Sequence, residues 1–382
     1  MLVLNGAAVL DRALRPLAGI VDELAFTDTG STDGTPELIA SLSKLYKFKC
    51  QGVVLSPEAD PNLYFVDDPS SFKFKFPSSV SFTGLPQLKD WANARNRSLD
   101  LCQGKYVLRI DEDDEVLRPE NILPALTMLD TRAEIDFLMC PYEVISSGVI
   151  DYVTTHHFFW RNKPDLRFKY VLHEHIPGRL ADGSNWIIAQ QGLLFRDWRD
   201  SPGAGVRVPH RNFKVLLLEY ERCLAAGEEI APHIQLTLAD EGIAVDPEFA
   251  LSLIPNACVF PNALGWAHYI RGECYRLMDR KEDALVNFSL AGQMGELRGL
   301  LQSAFMRYEL GLGGYKEIIR SVMLQRQASP SCLIRSSDIL KATNLVLLPL
   351  HCSSVSSRRY LNPEKAIDPL QNIHWYGKGK GK

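Results

Sequence analysis

Val107-Leu-Arg-Ile-Asp111-Glu-Asp113-Asp114-Glu115 is the stretch around which the rest of this 382-residue chain is read. Val107 to Ile110 predict a short strand: the run is apolar and is entered through the turn-like Gln103-Gly104. Five acidic residues then follow consecutively. Their mutual repulsion is costly unless a cation sits among them. While a strand lasts, its side chains alternate between faces, so Asp111 and Asp113 would share a side. Two carboxylates converging at a strand tip make a hard oxygen site for Mg²⁺ or Mn²⁺, an ion that usually also holds substrate phosphates. The structural alternative is an acidic loop at the start of a helix near Pro119, where the helix dipole favours Asp and Glu.

A second stretch supports the first. Glu23-Leu-Ala-Phe-Thr27 predicts a strand that runs into Asp28-Thr-Gly-Ser-Thr-Asp33-Gly-Thr35, with Pro36 in the first turn of a helix. Strand, polar glycine turn and helix put carboxylates, hydroxyls and backbone N–H groups at the carboxyl end of a strand, where open α/β sheets bind ligands. The alternative is a well-made turn and helix cap, which the same residue types build.

A chain of this length exceeds one ordinary core, so two domains are expected. Apolar residues make up 46% and charged residues 23%, as in a globular protein, and the net charge of −4 argues against a dedicated nucleic-acid binder. Eight cysteines lie scattered without a Cys-x-x-Cys pair, which favours reduced thiols in a cytoplasm over a zinc motif or a disulfide framework. No run is long enough to span a bilayer and no signal peptide is recognised, so the expected location is cytoplasmic.

Other elements follow by periodicity. Leu2–Leu4 and 48–55 are expected strands, and 7–17, 87–102 and 119–129 expected helices. Arg95 falls on the apolar stripe of the 87–102 helix and needs an anionic partner there, either a bound diphosphate or one of the aspartates. The Pro- and Ser-rich stretch 56–86 contains Phe72-Lys-Phe-Lys-Phe76, whose alternation favours an edge strand over an acceptor-binding flap. Segments 135–144 and 149–159 are expected to pair, and 186–194 to form the last strand. Between them His173-Glu174-His175 offers metal-binding imidazoles and a general base; polar residues at a surface strand end are the alternative. From about 208 the pattern is helical. Gly272, Tyr275, Ala284, Phe288 and Ala291 are spaced as in one tetratricopeptide unit, with a weaker copy from Gly299 to about Leu324. Residues after Ser329 read as irregular, ending in the basic Gly377-Lys-Gly-Lys-Gly-Lys382 tail.

Together Leu4-Asn5, Asp28 to Thr35, Ala94-Arg-Asn-Arg97, Asp111-Glu-Asp113-Asp114, His173-Glu174 and Arg211-Asn212 resemble the family-two glycosyltransferases of GT-A fold, in the branch with a helical annex. Asn5-Gly6 departs from the Asn-Glu that often ends the family's first strand. The resemblance implies a Rossmann-like, mixed-sheet α/β domain over 1–205, an all-α repeat domain over 206–328 and an extension over 329–382. It implies a nucleotide-sugar donor, most often a UDP-sugar, bound by Asn5, Asp28, Gly30, Ser31, Asp33, Arg95 and Asp111. It implies Mn²⁺ or Mg²⁺ on Asp111 and Asp113, with His173 completing the site. The reaction would invert the sugar, with Glu174 as base and Asp114 second. Acceptors from protein, peptide or glycan are favoured over hydroxylated DNA bases. A binding protein without turnover and a sugar nucleotidyltransferase are the other two readings; the second lacks the glycine-rich, arginine-containing N-terminal signature.

Overall fold

The computed structural model describes residues 1–146, 148–174, 176, 186–188, 192–198, 210–254, 263–328, 334 and 336–347. In chain order the first half contains β1 (Leu2–Val3), α1 (Leu10–Leu14), β2 (Glu23–Asp28), α2 (Thr35–Tyr46), β3 (Lys49–Val54), β4 (Tyr64–Val66) and β5 (Pro86–Leu88). It continues with α3 (Trp91–Leu99), β6 (Tyr106–Leu108), β7 (Asp114–Leu117), α4 (Ile122–Thr131), β8 (Phe137–Ser146), β9 (Val149–Arg161), β10 (Trp186–Ile188) and β11 (Leu194–Trp198). An all-α half follows: α5 (Arg211–Ala226), α6 (Pro232–Gly242), α7 (Pro247–Leu253), α8 (Ala263–Leu277), α9 (Lys281–Gln293), α10 (Leu297–Glu309), α11 (Tyr315–Ala328) and α12 (Ser336–Leu347). The expected class, mixed α/β followed by all-α, is what forms.

β1, β2 and β3 pair in parallel, in that order. A second sheet runs β6-β9-β8-β11-β7, with β10 parallel to β8. β8 and β9 are antiparallel as expected. The last expected strand, 186–194, is two separate strands, because β10 pairs with the start of β8 and β11 with its end. β1 is too short to extend along the whole of β2. A cavity of about 430 Å³ remains between β2 and β6, lined among others by Met1, Leu24, Val107 and Phe159. The Met1 amino group donates to Ala25 O at 2.9 Å and closes the ladder at that end.

The 56–86 segment corrects an expectation. Phe72, Phe74 and Phe76 are partly buried and Lys73 and Lys75 exposed, as the alternation requires, yet no strand forms. The Lys73 and Phe74 N–H groups donate instead to the Glu221 carboxylate on α5. The phenylalanines join the core of the helical half: Phe74 meets Phe249 at 4.6 Å and Phe213 at 5.8 Å between ring centroids. Beside them Lys214 is fully buried, and its Nζ donates to Asp67 Oδ1 at 2.8 Å and to Ser81 O at 2.7 Å. The insertion is thus a clasp between the two halves, held by aromatic burial and a satisfied ion pair.

In the helical half, Gly272 on α8 faces Phe288 on α9 so closely that a Cβ would lie 2.5 Å from the ring. This is the close helix approach read from the repeat pattern. α12 lies where the sequence reads as irregular; Ile339 and Ala342 bury against the α10–α11 pair. Among the described residues, no helix is long and apolar enough to cross a membrane. The basic tail lies outside the described residues.

Candidate functional site

Two elements with no neighbourhood in sequence meet at the end of β1. Leu4 N–H donates to Glu112 Oε1 at 3.2 Å, and Asn5 N–H donates to Ser31 Oγ at 2.8 Å. Asn5 Oδ1 accepts from Thr32 N–H at 2.8 Å. Asn5 has φ +54°, a left-handed conformation that asparagine tolerates. Gly6 is required next to it: a Cβ there would lie 2.8 Å from Glu112 Cγ. The departure from Asn-Glu therefore has a local reason, since Glu112 occupies that space.

The 28–35 turn is built from within. Asp28 Oδ1 accepts from Gly30 N–H and Ser31 N–H, both at 2.7 Å. Asp33 Oδ2 accepts from Ala7 N–H at 3.0 Å and its Oδ1 from Thr35 N–H at 3.1 Å. Burial opposes ionisation of Asp33, but these bonds hold its pKa below the ordinary carboxylate value. Asp28 is fully buried, and its Oδ2 has no hydrogen-bond partner among the described residues. A buried acceptor left unmatched is costly, which makes this oxygen a place where a ligand N–H would bind favourably.

The acidic tip divides in two. β6 stops at Leu108, so strand alternation does not reach 111–113; Asp111 and Asp113 turn to different partners. Asp111 is gripped by Arg95, with Nη1 to Oδ1 at 2.6 Å and Nη2 to Oδ2 at 2.8 Å, and Arg95 Nε donates to Glu174 Oε1. Arg109 Nη2 adds a contact to Asp111 at 3.4 Å and one to Glu174 at 4.0 Å. Burial would raise the pKa of Asp111 and Glu174, but the two arginines outweigh it and hold both below the ordinary range. Arg95 thus has the anionic partners that its buried position requires.

Glu112, Asp113 and Asp114 lie where burial and neighbouring acids disfavour their charged forms. Burial first, then repulsion from Asp111 and Asp113, pushes Glu112 up to about 8. Burial, then Asp197 and Asp111, pushes Asp113 up to about 7. Asp114 is also raised by burial and its acidic neighbours, and both its oxygens are taken: Tyr142 OH donates to Oδ1 at 2.7 Å and Asp111 N–H to Oδ2 at 2.8 Å.

His173, also left-handed at φ +51°, turns toward the helical half, with Nε2 3.6 Å from Glu241 Oε1 on α6. Among the described residues, no group of three or more His, Cys, Asp or Glu side chains is placed to hold a metal ion, so Asp111, Asp113 and His173 do not assemble as one ligand set. His175 lies outside the described residues. Sequence reasoning missed Arg109, although it is the one charged residue in the otherwise apolar 107–110 run beside the acidic tip. It also missed Glu112, Tyr142 and Asp197.

The geometry defines an architecture: a mixed α/β half in which the end of β1, the 28–35 turn and the acidic tip meet, joined to a stack of helices. No protein-family model matches the sequence. A TPR repeat-containing protein of Synechococcus elongatus is 27% identical over 191 residues, 50% of this chain and 36% of that protein, so the chain spans little more than a third of that relative. Crystal structures of S. aureus TarS 1-349, with UDP and without, superpose with TM-scores of 0.38 and 0.37 at 15% identity, over 81% of this chain and 90% of theirs. A longer TarS structure gives 0.40 at 14% identity, over 73% of this chain and 54% of that one. Likeness at this level has no bearing on activity.

Proposed function

We propose that the chain is a glycosyltransferase that moves a sugar from a nucleotide-sugar donor, a UDP-sugar by the family resemblance, to a hydroxyl acceptor with inversion. The supporting observation is that Leu4 and Asn5 join the Asp28–Asp33 turn to the acidic tip. Asp28 Oδ2 has no donor among the described residues, which suits the N–H of a nucleobase. The turn's backbone and Ser31 suit the ribose. Mn²⁺ or Mg²⁺ would be held by Asp113 with Asp111, and donor phosphates would complete its shell. Such ions are usually bound through one or two carboxylates plus phosphates, so no three-residue protein cage is required. Bound there, the ion supplies Lewis-acid neutralisation of the departing diphosphate. Glu174 is kept ionised by Arg95 and Arg109 and serves as the proton acceptor for the attacking hydroxyl. Asp114, with both oxygens engaged, serves the turn.

One observation favours a second reading, a binding protein without turnover: Asp111 and Glu174 together engage Nε, Nη1 and Nη2 of Arg95. Incubation with Mn²⁺ and a panel of nucleotide sugars separates the two. Nucleotide release supports transfer; donor binding without release supports the second reading; neither binding nor release removes both. Glu174→Gln is expected to keep donor affinity and slow transfer by about 10²-fold. If donor binding collapses instead, Glu174 only positions Arg95.

A further inference from the structure

The cavity between β2 and β6 has the outline of a strand and takes no part in the reading above. Backbone alternation fixes what faces it. Asp22 O accepts from Lys49 N–H and Asp28 O from Leu55 N–H, so the even-numbered residues of β2 serve β3. The odd-numbered ones face β1: Thr27 N–H donates to Met1 O at 3.0 Å, and Ala25 O accepts from the Met1 amino group at 2.9 Å. Ala25 N–H and Glu23 O come next along that edge, where β1 has no residue to meet them. Across the cavity, Arg109 N–H donates to Phe158 O and Lys105 O accepts from Asn162 N–H, so those residues turn to β9. Alternation then turns the backbone groups of Tyr106 and Leu108 away from β9. The cavity thus lies between two strand edges, and an open strand edge is matched by another extended chain.

The walls decide which side chains such a strand can carry. Phe159 and Trp160, consecutive on β9, mark the two faces of the sheet. Leu99 and Val107 join the apolar cluster of Trp160, and Leu24 and Ile122 that of Phe159. All four line the cavity. A strand seated there buries its side chains on both faces, so it must be apolar throughout. At about 3.3 Å per residue, the free edge of β2 takes about three residues. A depression at the surface shares Val21, Asp22, Glu23 and Gly104 with the cavity and gives a way in.

Met1 closes the inner end and sets the direction. A segment parallel to β2 reaches Met1 with its carboxyl end; an antiparallel one would bring a second amino end against the first. Burial lowers the pKa of the Met1 amino group, and a carboxylate beside it would favour its charged form.

We propose that the gap between β2 and β6 binds the extended, apolar C-terminal tail of a partner polypeptide as an added strand parallel to β2. The N–H of the tail's last residue donates to Glu23 O, and its carboxylate accepts from Ala25 N–H and from the Met1 amino group. The site stands whether or not the donor reading holds, because its test is binding and not turnover.

The test is calorimetric titration of the full chain with the acetylated peptide Ser-Val-Ile-Val carrying a free carboxylate, with hydrogen exchange read in parallel. The peptide should bind and slow exchange at the Ala25 and Leu108 amides. Amidating its C-terminus should weaken binding about tenfold or more, the worth of one charge-assisted hydrogen bond. Ending it in proline removes the N–H meant for Glu23 O and should cost about fivefold or more. Octanoate offers a carboxylate and an apolar chain without backbone groups, and should bind more weakly than the peptide by about tenfold or more. A chain with Ile-Ser-Val fused ahead of Met1 fills the gap from within and should lose peptide binding. These comparisons change the ligand or lengthen the chain, so no buried side chain is altered. The proposal is overturned if the free acid does not bind, if the proline peptide or octanoate binds as tightly, or if exchange at Ala25 is unchanged. A fused chain that gains thermal stability while the unfused chain binds no peptide would also overturn it, because the strand would then be one that only the same chain can supply.

Discussion

Two groups of largely buried carboxylates meet at the acidic tip and differ in one respect. Asp111, with Glu174, is matched by Arg95 and Arg109, and the pKa values of both carboxylates are held down. Glu112 and Asp113 face mainly other acids, and theirs rise to about 8 and about 7. The first group is charge-matched within the protein. The second is matched only weakly, through Arg12 beside Asp113. Neighbouring residues of one acidic run thus differ in charge balance, decided by how closely arginines approach their carboxylates.

The largest expected effect comes from breaking the matched group. Arg95→Met leaves Asp111 and Glu174 buried without their main partner and should cost about 3–5 kcal/mol of stability in urea unfolding. A loss under about 1 kcal/mol would show that Arg109 or solvent suffices. Next comes the unmatched group. Asp113→Ala should leave the fold intact and lower metal-dependent transfer by about 10²-fold or more. Unchanged rates would remove Asp113 from the mechanism.

pH separates the groups with opposite signs. A carboxyl whose folded pKa is raised binds more protons folded than unfolded, so it costs stability as pH rises from its unfolded value toward its folded one. In metal-free protein, Glu112 and Asp113 should therefore lower stability progressively between about pH 4 and pH 8. Asp111 and Glu174, with lowered pKa values, contribute stability above about pH 4 that is lost on further acidification. Glu112→Gln with Asp113→Asn should flatten the first slope and leave the acid limb; a slope unchanged in the double variant would place its source elsewhere. The most local effect is expected at Gly6→Ala, where the new methyl meets the Glu112 side chain; about 1 kcal/mol should be lost, and less in a background where Glu112 is alanine.

How much of this was legible follows from how far each contact reaches. The 28–35 turn was readable because its bonds close within a few residues: Asp28 to Gly30 and Ser31, Asp33 to Thr35. Burial of Arg95 was readable from helical spacing, but its choice of partner was not. The insertion's Phe/Lys alternation was read correctly for burial and wrongly for structure, because the hydrogen-bond partner of its backbone, Glu221, lies on α5. The α12 helix carried a signal in Ile339, Ala342 and Leu345 at three-residue spacing, though in a stretch otherwise read as irregular.

By itself the sequence determined most of the longer strands and helices, the α/β-then-α layout and the places where acidic and polar groups concentrate, because periodicity and turn chemistry are local. Only the tertiary structure decided which acids are neutralised. Leu4 meets Glu112, Tyr142 meets Asp114, and His173 meets Glu241. Those pairings depend on how the layers stack, and a buried charge takes its character from what the fold brings within a few ångströms of it.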